Sequence, residues 1–416
     1  MQGENKKIIL NPSRAYYYSI GMYLFINVLS NTTISDKIWY STLANIFNVT
    51  IILLLLYKII SQKYSLREII YIVLFGLIVL LSYLFSGYVY LIWLYLFVIS
   101  AQNVSFKKIA VQTIWVIIFS IILIMLISYL GLIEVVIITD YEREFLWSGN
   151  STIYLGGFHH QNYLGGLLFI TYCCYIFLRY DNFSWKDLIT FAVFFYLCFF
   201  RISSRTAAIE IAFLTLLVIV FKLFNLSNND KRKQFWAKFC TYGLMIFSII
   251  FSIFLSINYN SNNRVYSFIN SLLSTRISSA HNLYVQYGFS IFGQNINLVS
   301  TIQAKEEGTS SIILDNAYMH MLLHFGIFVT AIILIGYFVA VKYAFENGTY
   351  SIAILIATIF IYGISENLFF NISMNPFLIL LSVGIFGEKI EVIDDINRFK
   401  HRRIKLVFIK RPNNRI

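Results

Sequence analysis

The sequence predicts an all-α integral membrane protein with about twelve transmembrane helices. Three observations predict it. First, 58% of the 416 residues are hydrophobic and only 12% are charged, against about 25% charge in soluble domains. Second, apolar runs of spanning length recur from one end of the chain to the other. Third, the basic residues fall in alternate loops.

A crossing needs about 20 mostly apolar residues. Twelve runs are candidates, starting near Tyr16, Thr42, Ile69, Tyr88, Ile109, Asn162, Asp187, Thr206, Phe239, Asn316, Tyr350 and Pro376. The run from Tyr88 is short, and the run from Tyr350 ends near Ser365. Of the three prolines, Pro12 and Pro412 lie outside any span, so few helices are expected to kink at proline. The high aromatic content, 39 Phe and 30 Tyr, suits lipid-facing surfaces and interfacial belts.

With the N-terminus inside, 25 of the 32 basic residues fall on the cytoplasmic side. The seven outside are Lys37, Arg143, Arg201, Arg205, Arg264, Arg276 and Lys305. This bias sets the orientation and requires an even number of spans. The expected organisation is a cytoplasmic segment over 1–15, a transmembrane domain over 16–387 and a basic cytoplasmic tail over 388–416. Two long outer loops cover about 134–161 and 258–315. Within the second, 283–291 and 312–314 are apolar enough to pack on the bundle or the membrane.

The net charge of +12 is better explained by loops facing anionic lipid than by nucleic acid. Cys173, Cys174, Cys198 and Cys240 sit in apolar runs and read as buried small residues, not as disulfides or metal ligands. No cleavable signal peptide is visible. No internal repeat supports an inverted-repeat transporter.

Polar residues cluster at the outer face. Gly156, Gly157, Phe158, His159, His160, Gln161 and Asn162 run into the sixth span, followed by Gly165 and Gly166. The plain alternative is a polar helix entry with packing glycines. Arg201, Ser203, Ser204, Arg205 and Thr206 lie at the end of the seventh span. If that stretch is helical, the two arginines are one turn apart on one face, where guanidinium forks fit phosphate oxygens. The alternative is snorkelling. Arg276 follows Ser274 and Thr275 in the large loop. Asp315, Asn316, Tyr318, His320 and His324 open the tenth span. Asp315 could be only an N-cap. His320 and His324 share a helical face, but no third ligand at a convincing spacing makes a metal site. Glu366, Asn367, Asn371 and Asn375 end the eleventh span, and Glu210 lies one turn into the eighth, where it could pair with Arg205.

No nucleotide-binding glycine loop is present, so no nucleotide cofactor is expected. A polyprenyl diphosphate-linked sugar fits such a site, because its lipid, diphosphate and glycan lie at the depths where apolar, arginine-bearing and polar residues occur. Arginine would stabilise the leaving diphosphate without a metal, and a carboxylate or His would take the acceptor proton.

The chain also resembles the Wzy-type polysaccharide repeat-unit polymerases, in the superfamily that includes O-antigen ligases. Gly157 to Asn162 is similar to that family's Gly-containing stretch ending in Asn before a helix. Ser204, Arg205 and Thr206 resemble its Ser-Arg-Thr/Gly signature. Thr275 and Arg276 resemble the Arg opening the helical part of the large loop, and Phe292, Gly293, Gln294 and Asn295 its Phe-Gly turn. Asp315, Asn316, Tyr318 and Gly326 resemble the ligase motif, with Asp315 where ligases carry His and Val329 where the motif ends in Gly. Both departures favour polymerase over ligase.

The resemblance implies undecaprenyl diphosphate-linked oligosaccharides as donor and acceptor at the outer face of the cytoplasmic membrane. Arg205 and Arg276, with Arg201, would bind diphosphate. Asp315 is the first candidate for general base, followed by His160 and His320. Asn162, Asn316, Tyr318 and Glu366 would orient sugar or diphosphate. A flippase and a chain-length regulator are expected as partners. The rival readings are a ligase, a lipid-linked oligosaccharide flippase and a nonenzymatic envelope scaffold.

Overall fold

The computed structural model describes residues 11–139, 152–224, 230–299, 304, 308–309 and 311–387. Residues 1–10 of the expected segment 1–15 and the expected tail 388–416 lie outside the described residues, as do Arg143 and Lys305.

The described chain is mostly helical. In order the helices are α1 (Pro12–Leu29), α2 (Ile38–Ile60), α3 (Leu66–Ser86), α4 (Tyr90–Ile99), α5 (Phe106–Tyr129), α6 (Gln161–Arg179), α7 (Asp187–Tyr196), α8 (Arg205–Leu223) and α9 (Lys231–Ile257). Two more, α10 (Arg264–Leu272) and α11 (Arg276–Tyr287), lie in the second long loop. Then come α12 (Ala317–Glu346), α13 (Tyr350–Tyr362) and α14 (Pro376–Phe386). Seven of these helices, α2, α3, α5, α6, α8, α9 and α12, are long and apolar enough to cross a membrane, α6 when continued through the short turn to Asn182 and α12 across an internal non-α turn. Helices α4, α13 and α14 are apolar but shorter. The protein is a multi-pass membrane protein by this criterion.

Local sequence sets the helix starts. Asn11 accepts a hydrogen bond from Ser13 N at 2.9 Å ahead of Pro12, pairing a side-chain cap with a residue that has no N–H to satisfy. Ser65 and Glu68 form a reciprocal capping box on α3. Asp230 accepts from Arg232 N and Lys233 N at the start of α9. Gly87, at φ 73°, ends α3 in the left-handed conformation that costs glycine least.

Helix α13 is the centre of the bundle. Every residue from Ser351 to Phe360 is buried, and α13 packs against α8, α9 and α12. The periphery is inverted relative to a soluble protein. Leu53 on α2, Leu84 on α3, Ile122 on α5, Ile209 on α8 and Phe239 on α9 are each more than half exposed, which is stable where the surrounding solvent is hydrocarbon.

The first long loop is stitched to the α1–α2 turn. Its strands β1 (Ile137–Thr139) and β2 (Thr152–Tyr154) pair antiparallel, and Thr33 N donates to Gly157 O at 2.8 Å. The second long loop is more ordered than expected, because α10 and α11 fill its first half. Both are rich in Ser and Asn, so they lack the apolar run that marks a helix in this chain. Leu283 and Leu314, from the two stretches expected to pack, do so in one small core with Ala280, Ile296, Met319 and Leu323.

Candidate functional site

Arg276 lies at the centre of the polar end of the bundle. Ser274 (φ 51°) and Thr275 (φ 64°) precede it in the left-handed region, a conformation costing of order 1 kcal/mol or more per non-glycine residue. Asn270 offsets that cost. Its backbone carbonyl accepts from Thr275 N at 2.9 Å, its Oδ1 accepts from Ser278 N at 3.0 Å, and its Nδ2 donates to Ser278 Oγ at 3.1 Å. The strained turn aims Arg276 inward, with its side chain 10% exposed.

There Arg276 meets two carboxylates from distant parts of the sequence. Nη2 donates to Glu366 Oε1 at 2.7 Å, and Nε lies 3.4 Å from Asp315 Oδ2, outside hydrogen-bond geometry. Glu366 is buried, with the Thr206 side chain beside it. Burial pushes its carboxyl up to about 8, while the Arg276 charge pulls the other way and Asp315 adds to the rise. Thr206 stands on the first turn of α8, so the Ser204, Arg205 and Thr206 stretch adjoins the pair of carboxylates.

Arg205 and Arg201 themselves are exposed, and neither has an ion-pair partner among the described residues. They do not share one helix. The chain leaves α7 through a π-helical turn, Leu197–Arg201, breaks at Ser203 with φ 60°, and restarts at Arg205. Ser204 N closes the break onto Cys198 O at 2.8 Å. The expectation of one continuous helical face is therefore corrected. The two arginines flank a tight turn. Glu210, expected as a partner of Arg205, is buried and its Oε2 has no hydrogen-bond partner.

The start of α12 is fixed from behind. Asn316 is buried, accepts from Met319 N at 3.1 Å and from Ser252 Oγ of α9 at 2.8 Å, and so caps its helix. Ala317 N donates to Gly363 O at 2.9 Å. Tyr318 is wholly buried and donates to Phe360 O at 2.7 Å. Asn316 and Tyr318 thus face the packing of the bundle, while Asp315, 31% exposed at its side chain, faces the opening. Leu314 O, one residue before Asp315, accepts from Asn367 Nδ2 at 3.1 Å and lies 3.4 Å from His320 Nδ1. Asn367 had drawn notice only as a neighbour of Glu366. Its role depends on a contact between distant segments, which adjacency to a charged motif does not mark, whereas Thr206 belongs to the Ser204, Arg205 and Thr206 motif.

His320 and His324 do come together. A π-helical turn, Met321–Phe325, contains His324 and directly follows His320, and the two ring centroids are 4.4 Å apart. Tyr88, Phe325 and Phe370 surround the pair. Among the described residues no group of three or more His, Cys, Asp or Glu side chains is placed to hold a metal ion. His160 is exposed and caps α6, its Nδ1 accepting from Asn162 N at 3.1 Å. One turn on, Gly165 touches Ser204, where a Cβ would collide with the serine side chain, so the His160 and Arg205 stretches adjoin through α6 and α8.

The Phe292, Gly293, Gln294 and Asn295 turn lies against the backbone of α12. Gln294 N donates to His324 O at 3.2 Å, Ile327 N to Ser290 O at 3.0 Å and Phe328 N to Ile291 O at 3.2 Å. Gly293 (φ 91°) and Gly326 (φ 81°) face each other so closely that a Cβ on either would strike backbone atoms of the other segment.

No family model, curated protein or solved structure matches the chain. Functional assignment therefore depends on the geometry of the polar end. That end combines exposed, unpaired guanidinium groups, a helix N-terminus at Arg205, a partly exposed carboxylate and an apolar periphery. Such a site can bind an anion at the membrane border and accept a proton a short distance away.

Proposed function

We propose that this protein is a polyprenyl diphosphate-dependent glycosyltransferase of the repeat-unit polymerase type, acting at the outer face of the cytoplasmic membrane. The observation that carries the reading is the cluster of Glu366, Arg276 and Asp315 beside Thr206, which sets the Arg205 stretch near a partly exposed carboxylate. In this reading twelve crossings arise when α1, α4, α7 with its π turn, α13 and α14 join the seven long helices. The basic residues then put both termini inside and the Asp315 end outside.

The diphosphate of the donor binds at Arg205 and the N-terminus of α8, with Arg201 beside it. One of the five N–H groups of the Arg276 guanidinium donates to Glu366, which leaves the others for phosphate oxygen. The acceptor hydroxyl oxygen attacks the anomeric carbon. The bond from that carbon to the phosphate oxygen breaks, and the electron pair leaves with the diphosphate, whose charge the arginines stabilise. Asp315 takes the hydroxyl proton, and His160 and His320 are the second candidates. Asn316 and Tyr318 contribute by fixing the start of α12, and Asn162 by its place on the first turn of α6. No cofactor enters the reaction. A flippase supplying lipid-linked units and a chain-length regulator are the proposed partners.

The test is complementation of a deletion strain with wild type, Arg205→Ala or Asp315→Ala at matched expression, followed by sizing of the lipid-linked glycans. A ladder from wild type and single units from both variants is the expected result. Long lipid-linked polymer that never reaches its final acceptor would make the protein a ligase instead. Single units confined to the cytoplasmic side would make it a flippase.

A further inference from the structure

A cavity of about 500 Å³ opens at the polar end between the α3–α4 turn and the loop that carries Asn295. We propose that it is a saccharide subsite, taking one pyranose of the glycan against Tyr88, Tyr90 and Trp93, with Ser86 and Asn295 as hydroxyl partners. The proposal deepens the glycosyltransferase reading and rests on it for the identity of the sugar.

The wall composition supports a neutral, two-sided ligand. Three aromatic side chains supply apolar surface with polar tips, and Ser86 and Asn295 supply a hydroxyl and an amide that can both donate and accept. Among the described residues no charged side chain lines the cavity, so these walls offer a phosphate headgroup or a carboxylate no counter-charge. A pyranose has the matching character, with C–H groups on its faces and hydroxyls around its edge. The volume is within the range of about 300–1,000 Å³ for small-molecule sites.

The polar groups are also uncommitted. Among the described residues, the Asn295 amide, the Tyr90 hydroxyl and the Trp93 indole N–H have no hydrogen-bond partner within the protein. Ser86 Oγ accepts from Tyr88 N at 3.3 Å, which leaves its own proton to donate.

The walls are held rigidly and close to the candidate base. The backbone bonds from Gln294, Ile327 and Phe328 fix the Asn295 loop to α12. Phe85 stacks on Phe292 across the gap, with centroids 6.2 Å apart. Tyr88 is shared between the cavity and the histidine pair, its ring 4.6 Å from His324 and 5.5 Å from His320. His320 reaches Leu314 O, the carbonyl next to Asp315. A sugar held here is thus separated from the Leu314 carbonyl beside Asp315 by two rings, Tyr88 and His320.

The probe is the lipid-free oligosaccharide released by mild acid from the lipid-linked units of the deletion strain. Its binding to the full-length protein in nanodiscs is read by saturation-transfer NMR, which reports the sugar protons directly. Wild type and Arg205→Ala should bind alike, while Trp93→Ala and Asn295→Ala should weaken binding at least tenfold. Trp93→Phe, which keeps a ring, should recover most of the loss. Equal binding by wild type, Trp93→Ala and Asn295→Ala would overturn the subsite even if Arg205→Ala abolishes polymer. Binding that depends on Trp93 and Asn295 in a protein whose deletion leaves the glycan ladder intact would keep the subsite and remove the polymerase reading.

Discussion

Arg276 Nη2 donates to Glu366 Oε1 at 2.7 Å across ninety residues of sequence. With the side chains 10% and 6% exposed, neither group can turn to water when the other is removed. Arg276→Ala should therefore cost about 3 kcal/mol, read as a fall in the melting temperature of the purified protein. The double variant Arg276→Ala/Glu366→Gln replaces the stranded carboxyl with an amide and should recover about half of that loss. Strict additivity of the two single effects would show that the pair is uncoupled.

Glu366 also predicts a pH dependence with opposite signs in stability and activity. Its carboxyl is pushed by burial from an ordinary value of 4.5 up to about 8. In the unfolded chain it has lost its proton by pH 5, while in the fold it retains it, so wild-type stability should fall from about pH 5 to about pH 8 and level off above. Polymerising activity should rise over the upper part of that range, as the ionised carboxylate grips Arg276. Glu366→Gln should remove both trends, and melting curves and initial rates at half-unit pH steps would reveal them if they persisted.

Arg205 is exposed and unpaired among the described residues, so its removal should cost little stability, within about 0.5 kcal/mol. Polymer formation should drop by two orders of magnitude or more in Arg205→Ala. Arg205→Lys should restore only part, because an ammonium is a point charge without the planar fork. A melting temperature that falls as far as the activity would assign Arg205 to the fold and not to the substrate.

Two glycines should behave in opposite ways. Gly293→Ala places a Cβ against the His324 carbonyl at φ 91° and should reduce yield of folded protein severely. Gly243→Ala has nothing within 4 Å of the added carbon and lies within α9, where alanine is favoured by about 1 kcal/mol. Fluorescence-detected size exclusion of the two variants beside wild type would expose any similarity between them.

The helical segments were legible because each announces itself in a contiguous apolar run, and the chemistry-bearing clusters because charge is rare in such a chain. What escaped were features with no local signature. Helices α10 and α11 are too polar to stand out. The break at Ser203 separates Arg201 from Arg205 through backbone conformation alone. The approach of Thr206 to Glu366 and the bond from Asn367 to Leu314 O join segments far apart in sequence, and a single chain carries no periodicity that marks such pairs. Asn316 and Tyr318 were seen as polar but not as inward-facing, since burial depends on what α9 and α13 bring to them.

The meeting of Gly293 and Gly326 has a consequence for how such a protein can diversify. Two main chains touch there with no side chain between them, so the junction offers substitution nothing to adjust. It acts as a datum from which neighbouring positions are measured. Asn295 on one side and Asp315 on the other keep their separation while the residues around them drift. Under the proposed glycosyltransferase reading, new substrate preferences can then be acquired by exchanging side chains beside the junction, without rebuilding that distance.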